Sequence, residues 1–213
     1  MKKKIIIMSL FFLIPFLVAC EKSFERAERA ITLTQEQVTS IINDLGKIQH
    51  LERDLQSDFE ATIEKSEDLS SFASDDSPIM YNLEARRQHL KAIQEKELKL
   101  TNLVEELENQ VKSTSLTTES VQALINDVNA LLNELTVYTT DYLNNIDLEK
   151  QTYQSIANPE TDYASFFKVF DNINLLNSTN EINLERVLGY FEPLNTRLVN
   201  YKIELVKQRE ANQ

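Results

Sequence analysis

The chain predicts an all-α fold, an elongated antiparallel helical bundle, coiled-coil-like, of three to four long helices. Three observations carry that prediction. Among 213 residues there are only 2 glycines and 4 prolines, so the usual helix breakers are nearly absent. Apolar residues recur at heptad spacing over long stretches, and the strict alternation of a half-buried strand is missing. The polar connections between those stretches are short, which folds successive helices back as antiparallel neighbours.

Residues 1–19 read as a lipoprotein signal peptide. Lys2, Lys3 and Lys4 form a positive n-region, Ile5 to Val18 is apolar apart from Ser9, and the stretch ends at Leu17-Val18-Ala19-Cys20. This is the tripartite pattern of an export signal. Its apolar part is shorter than the ~20 residues a spanning helix needs. Leu17 to Cys20 has the form of a lipobox. A small residue before the cysteine lets a peptidase approach, and the thiol can carry a diacylglyceryl group. The chain has 1 cysteine, and it stands at this position. Two acyl chains, palmitate among them, anchor stably, since each buried CH₂ contributes ~0.8 kcal/mol and one chain alone is marginal. Cys20 is thus the predicted lipidation site and membrane contact, which places the mature protein at the cell membrane on its extracytoplasmic face. Loss of the leader removes three lysines and no acidic residue, taking the formal charge from −12 to −15. Nucleic acid is excluded as a partner, because phosphate binding rests on Lys and Arg.

Residues 20–33 read as the lipidated N-terminus and a tether, and residues 34–213 as the helical bundle domain. Thr34 with Gln37 has capping-box form, consistent with a break near residue 33. The first long stretch runs from about Ser23 to Phe72. One of its rows holds Ile31, Val38, Leu45 and Phe59, interrupted by Glu52; the other includes Thr34, Ile41, Ile48, Leu55 and Thr62. Residues 71–78 form a turn, with Ser77 as N-cap and Pro78 in the first helical position, where its missing N–H costs nothing. The second helix runs to about Lys112 on rows that include Ile79, Arg86, Ile93, Leu100 and Leu83, Leu90, Glu97, Val104. After a polar connection capped by Thr117 or Thr118, a third helix runs from about Glu119 to Ala157. Its row of Val121, Val128, Leu135, Tyr142 and Ile156 is broken by Glu149, within a stripe wide enough to face two neighbours. Asn158-Pro159 ends it. A shorter helix spans about Asp162 to Leu176, and Asn177 to Asn180 is either a turn or a polar stretch inside a longer helix. The last helix runs from about Glu181 to Arg209, with a kink expected at Pro193.

The same composition narrows the chemistry. With 2 glycines and 1 cysteine there is no P-loop, dinucleotide fingerprint or nucleophile elbow, and no disulfide framework or cysteine zinc site. His50 and His89 follow Lys47 and Arg86 rather than the glutamates that a carboxylate-bridged metal bundle places three residues earlier. No metal, cofactor or catalytic residue is predicted. Asp75-Asp76 and Glu105-Glu106-Glu108 read as solvated carboxylates, and Arg86-Arg87 as partners in intrahelical ion pairs. Aromatic residues gather toward the C-terminal half. Within Tyr163–Phe170, the side chains of Tyr163, Phe166 and Phe167 are the candidate partner-binding residues, able to stack on sugar without positive charge; filling the core is the plainer alternative.

Two further segments, together with the lipobox, carry a resemblance. The first helix ends DFEATIEKSEDLSS, and the second opens YNLEARRQHLKAIQEKE, with Tyr81, Asn82, Arg86 and Arg87 in an N-x-x-x-R register. With Cys20 followed by an acidic, all-helical chain, the sequence resembles the putative cell-wall-binding lipoproteins of Gram-positive bacteria (YkyA-like). The resemblance covers most of the mature chain, and Cys20 is the one functional residue it carries over. It implies a lipid-anchored, extracytoplasmic module that binds or scaffolds at the cell wall without catalysis. The implied partners are the membrane, through diacylglyceryl-Cys20, and a cell-wall polymer or another envelope protein. A binding protein for a glycan or hydrophobic ligand, held between helices near Tyr163–Phe170, is the alternative.

Overall fold

In the computed structural model, residues 2–113, 118–158 and 162–211 are described, with side chains at 24–110, 119–158, 162, 164 and 166–211. Among them the chain forms four long helices and no strand: α1 (Lys2–Ile63), α2 (Pro78–Ser113), α3 (Thr118–Ile156) and α4 (Tyr163–Ala211), with a 3₁₀ turn at Ser70–Ala73. Each helix packs on the next in sequence, and α4 closes the ring against α1. Cross-helix pairs give the directions. Asp44 meets Lys96 while Thr62 meets Ile79. Arg86 meets Glu149 while Glu97 meets Thr136. Asn145 meets Asn180 while Asp127 meets Arg197. Gln35 meets Lys202 while Phe59 meets Phe170. Every adjacent pair is antiparallel, so this is an up-down-up-down four-helix bundle.

The helices are long because little in the sequence stops them. α2, with 36 residues, is a rod of about 54 Å at ~1.5 Å rise per residue. The predicted rows are the core: Ile31, Val38, Ile41, Leu45 and Ile48 on α1, Ile79, Leu83, Leu90 and Ile93 on α2, and Val121, Leu124, Val128, Leu131 and Leu135 on α3 are all buried. The 20–33 tether is corrected. Phe24, Ala27, Ala30 and Ile31 are buried in the bundle, and α1 passes through residue 33 unbroken. Thr34 is not a cap; its hydroxyl donates to the Ala30 carbonyl 2.8 Å away, one turn back. The aliphatic surface these residues offer to α4 makes helix the better state there.

The α1–α2 connection is tied by hydroxyls. Thr62 Oγ1 accepts from the Ile79 N–H at 3.1 Å and donates to the Asp58 carbonyl at 2.7 Å. Ser71 Oγ donates to the Thr62 carbonyl at 2.6 Å. Ser77 caps α2 weakly, accepting from the Met80 N–H at 3.4 Å. Leu69 takes φ 61°, a left-handed conformation that a branched side chain resists. The predicted caps Thr117 and Thr118 fall outside the described residues or side chains. At the other end of the chain the two predicted C-terminal helices are one, α4, of 49 residues. The polar stretch 177–180 stays helical, with the Ser178 and Thr179 hydroxyls turned back onto the Asn174 and Leu175 carbonyls. Asn180 turns inward to accept from Asn145 Nδ2 at 2.7 Å. Pro193 lies within the helix and leaves the Gly189 carbonyl without its usual donor.

Glu97 occupies a core position of α2 and accepts from Thr136 at 3.0 Å and Thr139 at 3.2 Å. Burial raises its carboxyl above the ordinary value, more than the two hydroxyls lower it. The folded chain then holds this proton at pH values where the unfolded chain has lost it, so stability falls as pH rises from the ordinary carboxylate range through the raised folded value. Glu97→Gln keeps one acceptor and removes the charge. It should raise the melting temperature at pH 7.5 by about 2–4 °C, the shift that about 1 kcal/mol gives at this size. At pH 4 the gain should shrink; an equal gain at both pH values would refute the assignment.

Candidate functional site

Among the polar residues that interrupt the core rows, Glu52 on α1, Arg86 on α2 and Glu149 on α3 are brought into one layer by the antiparallel register. Arg86 forms a two-pronged bond to Glu149, Nη2 to Oε1 at 2.7 Å and Nη1 to Oε2 at 2.9 Å. Their side chains are 0% and 1% exposed. Arg86 Nη1 also donates to Tyr142 Oη at 3.1 Å, and Nε donates to Asn82 Oδ1 at 2.8 Å. Asn82 Nδ2 in turn donates to the Leu51 carbonyl and to Asp58, both at 2.7 Å. Tyr142 Oη donates to Glu52 Oε1 at 2.5 Å. The guanidinium is held as a cation: burial opposes its charge, but the Glu149 carboxylate and the Tyr142 hydroxyl together more than offset this. Glu52 goes the other way, because burial raises its carboxyl despite the Tyr142 hydroxyl and the Arg86 charge.

The intrahelical reading of Arg86-Arg87 is therefore corrected. Arg86 points across the core. Arg87 does pair with Glu84 on its own helix at 3.5 Å, but also reaches Asp147 on α3 at 2.5 Å. His89 Nδ1 lies 3.0 Å from Asp44, beside Lys96, and exposed His50 lies 3.7 Å from Asp54. Each histidine thus stands beside a carboxylate. Asp75 pairs with Lys150 at 2.9 Å. Among the described residues no group of three or more His, Cys, Asp and Glu is placed to hold a metal ion.

Next to the polar layer, toward the α1–α2 turn, lies an aromatic cluster. Phe59 of α1 is its hub, with ring centroids 4.9 Å from Phe72, 6.0 Å from Tyr153, 5.2 Å from Phe170 and 6.4 Å from Phe166. Of the three candidates named from the sequence, Phe166 is half-buried against this cluster. Phe167 is 52% exposed and packs edge-on to Phe166. The backbone of Tyr163 opens α4, and its side chain lies outside those described. Cys20 lies on α1, its side chain likewise outside the described set. Core filling and surface display are thus both present, divided along one turn of α4.

The seam between α1 and α4 is open here. A groove of about 450 Å³ is lined by Leu55, Phe59, Ile63, Tyr153, Phe170 and Asn177 among others. It is continued by a second groove of about 410 Å³ lined by Gln49, Glu52, Arg53, Asn177, Glu181 and Leu184. Asn177 belongs to both. Phe170, 38% exposed, stands on the rim. One half of the groove is aromatic and the other polar, and Glu52 links its floor to the buried layer.

Removing one partner of a buried pair strands the other, at a cost of about 3–5 kcal/mol. Arg86→Met and Glu149→Leu should each lower the unfolding free energy, read from urea titration, by that amount. The double substitution should recover most of the loss. Additive losses would mean that the two side chains do not act as a pair.

No curated protein and no solved structure matches the chain. Among the described residues no helix is long and apolar enough to cross a membrane. A family model matches residues 21–201, a span that includes the polar layer, the aromatic cluster and the groove. The chain belongs to the YkyA family, whose description is putative cell-wall binding lipoprotein.

Proposed function

We propose that this protein is a non-catalytic wall-binding module, held at the membrane by a diacylglyceryl group on Cys20 and presenting the aromatic end of its bundle to a cell-wall polymer. Family membership supports the broader part, a membrane-anchored lipoprotein outside the cell with the wall as partner. The observation that carries the finer part is where the exposed aromatics sit. Phe167 and Phe170 lie at the end of the bundle opposite residue 20, over the buried ring of Phe59. From residue 20 to residue 59 is roughly 60 Å of helix at ~1.5 Å per residue. Because Phe24 is already buried, about one helical turn separates the lipidated residue from the core. The bundle then stands directly on the membrane, and its far end reaches outward into the wall. Stacking and hydrogen bonding are the interactions available, since a mature chain of −15 repels an anionic polymer.

Two experiments test this. Cys20→Ser should shift the protein from the membrane fraction to the medium or leave it as unprocessed precursor; unchanged anchoring refutes the lipid attachment. Full-length protein in detergent should co-sediment with purified cell wall. Phe167→Ala, at an exposed position, should reduce the retained fraction severalfold while leaving the circular dichroism spectrum unchanged. Equal retention would move the binding surface elsewhere on the bundle.

A further inference from the structure

The α1–α4 groove has features that packing does not explain. Asn177 Oδ1 and, one turn further along α4, Asn180 Nδ2 are buried without a hydrogen-bond partner. Leaving buried amide atoms unpaired costs stability, and Asn177 is the residue shared by both halves of the groove. Beside it, Glu52 occupies a core row where an aliphatic side chain would pack. Tyr142 holds Glu52 by Oε1. On the other side of Asn177, Phe59 and Phe170 are in edge-on contact at 5.2 Å, with Phe170 half open to solvent. Each half has a volume within the ~300–1,000 Å³ of small-ligand clefts.

Resting on the wall-binding reading above, we propose that this groove is a binding site for an uncharged, acetamido-bearing sugar chain. Phe170, backed by the buried ring of Phe59, stacks on a pyranose face, and Glu52 and Asn177 hydrogen-bond the acetamido group. The chemistry selects among ligand classes. A lipid tail would leave the polar half unmatched. A phosphate polymer would face the carboxyl groups of Glu52, Glu60 and Glu181 against the single cation Arg53. An extended peptide would find no strand edge, because both walls are helices whose backbone groups are already paired. A sugar chain carries both apolar ring faces and amide and hydroxyl groups, alternating on the scale of this groove.

The test is calorimetric titration of the full-length protein in detergent with three probes: the β-1,4-linked tetramer of N-acetylglucosamine, cellotetraose, and poly(glycerol phosphate). The first should bind, the second at least tenfold more weakly for lack of the acetamido groups, and the third not at all. Asn177→Leu removes an unpaired atom, so it should keep or raise the melting temperature while weakening the first probe at least tenfold. Phe170→Ala, at a rim position, should weaken it by a similar factor with the fold retained. No binding of the first probe, equal affinity for cellotetraose, preference for the phosphate polymer, or full affinity in both variants would each overturn the proposal. Wall co-sedimentation run alongside separates the two readings. Retention on the wall without titration by the sugar removes the groove and leaves wall binding standing, and loss of both removes both.

Discussion

A guanidinium fully withdrawn from water has to be met by a carboxylate and by acceptors for its remaining N–H groups, and Arg86 meets both conditions only in one arrangement of α1, α2 and α3. Glu149 must come from α3 with both oxygens forward, Tyr142 from one heptad earlier in the same row, and Asn82 from one turn earlier on α2. Tyr142 and Asn82 then extend the network to Glu52 and Asp58 on α1. A bundle of aliphatic heptads alone tolerates slippage by a heptad with little change in buried area. A slip here would leave an arginine and a glutamate buried apart. The pair contributes little net stability by itself, since desolvation offsets most of the Coulomb gain. Its consequence is that one register is far better than its neighbours, as with polar core residues in coiled coils.

The rest of the molecule is arranged around that layer. Toward the end of the bundle that holds Phe24 the core is mainly aliphatic, with Phe24, Phe191 and Tyr201 among its rings and Asp44 with Lys96 and His89 among its polar groups. Toward the far end it becomes aromatic, with Phe59, Phe72, Tyr153 and Phe166 packed ring on ring. Large rings spread the helices more than leucines do. The α1–α4 seam opens where that widening coincides with the carboxyl of Glu52 and the amide of Asn177. The groove is thus a consequence of two departures from a regular aliphatic core lying side by side.

Much of the fold was legible along the chain. Helix followed from the scarcity of glycine and proline, and the buried rows from heptad spacing. The site was legible only in fragments. Glu52, Arg86 and Glu149 each stood out as polar residues in apolar rows, and the N-x-x-x-R register of Asn82 and Arg86 marked the layer. Local reasoning sent Arg86 to a neighbour on its own helix, because within a helix spacing of three or four is the only proximity a sequence displays. Phe166 and Phe167 looked alike as candidates. One is half-buried and the other exposed, since adjacent residues on a helix are turned about 100° apart and the position of α1 decides which face is covered.

Residue order by itself therefore determined the helical state and the faces that had to be buried, because each depends on composition and local spacing. Tertiary structure decided that residues 24–33 belong to the bundle, that α4 runs unbroken through its polar stretch, and which polar core residues meet. It also decided that Asn177 faces a groove. Those outcomes depend on the relative register of four antiparallel rods, which is set by contacts between residues tens of positions apart and is written in no single segment.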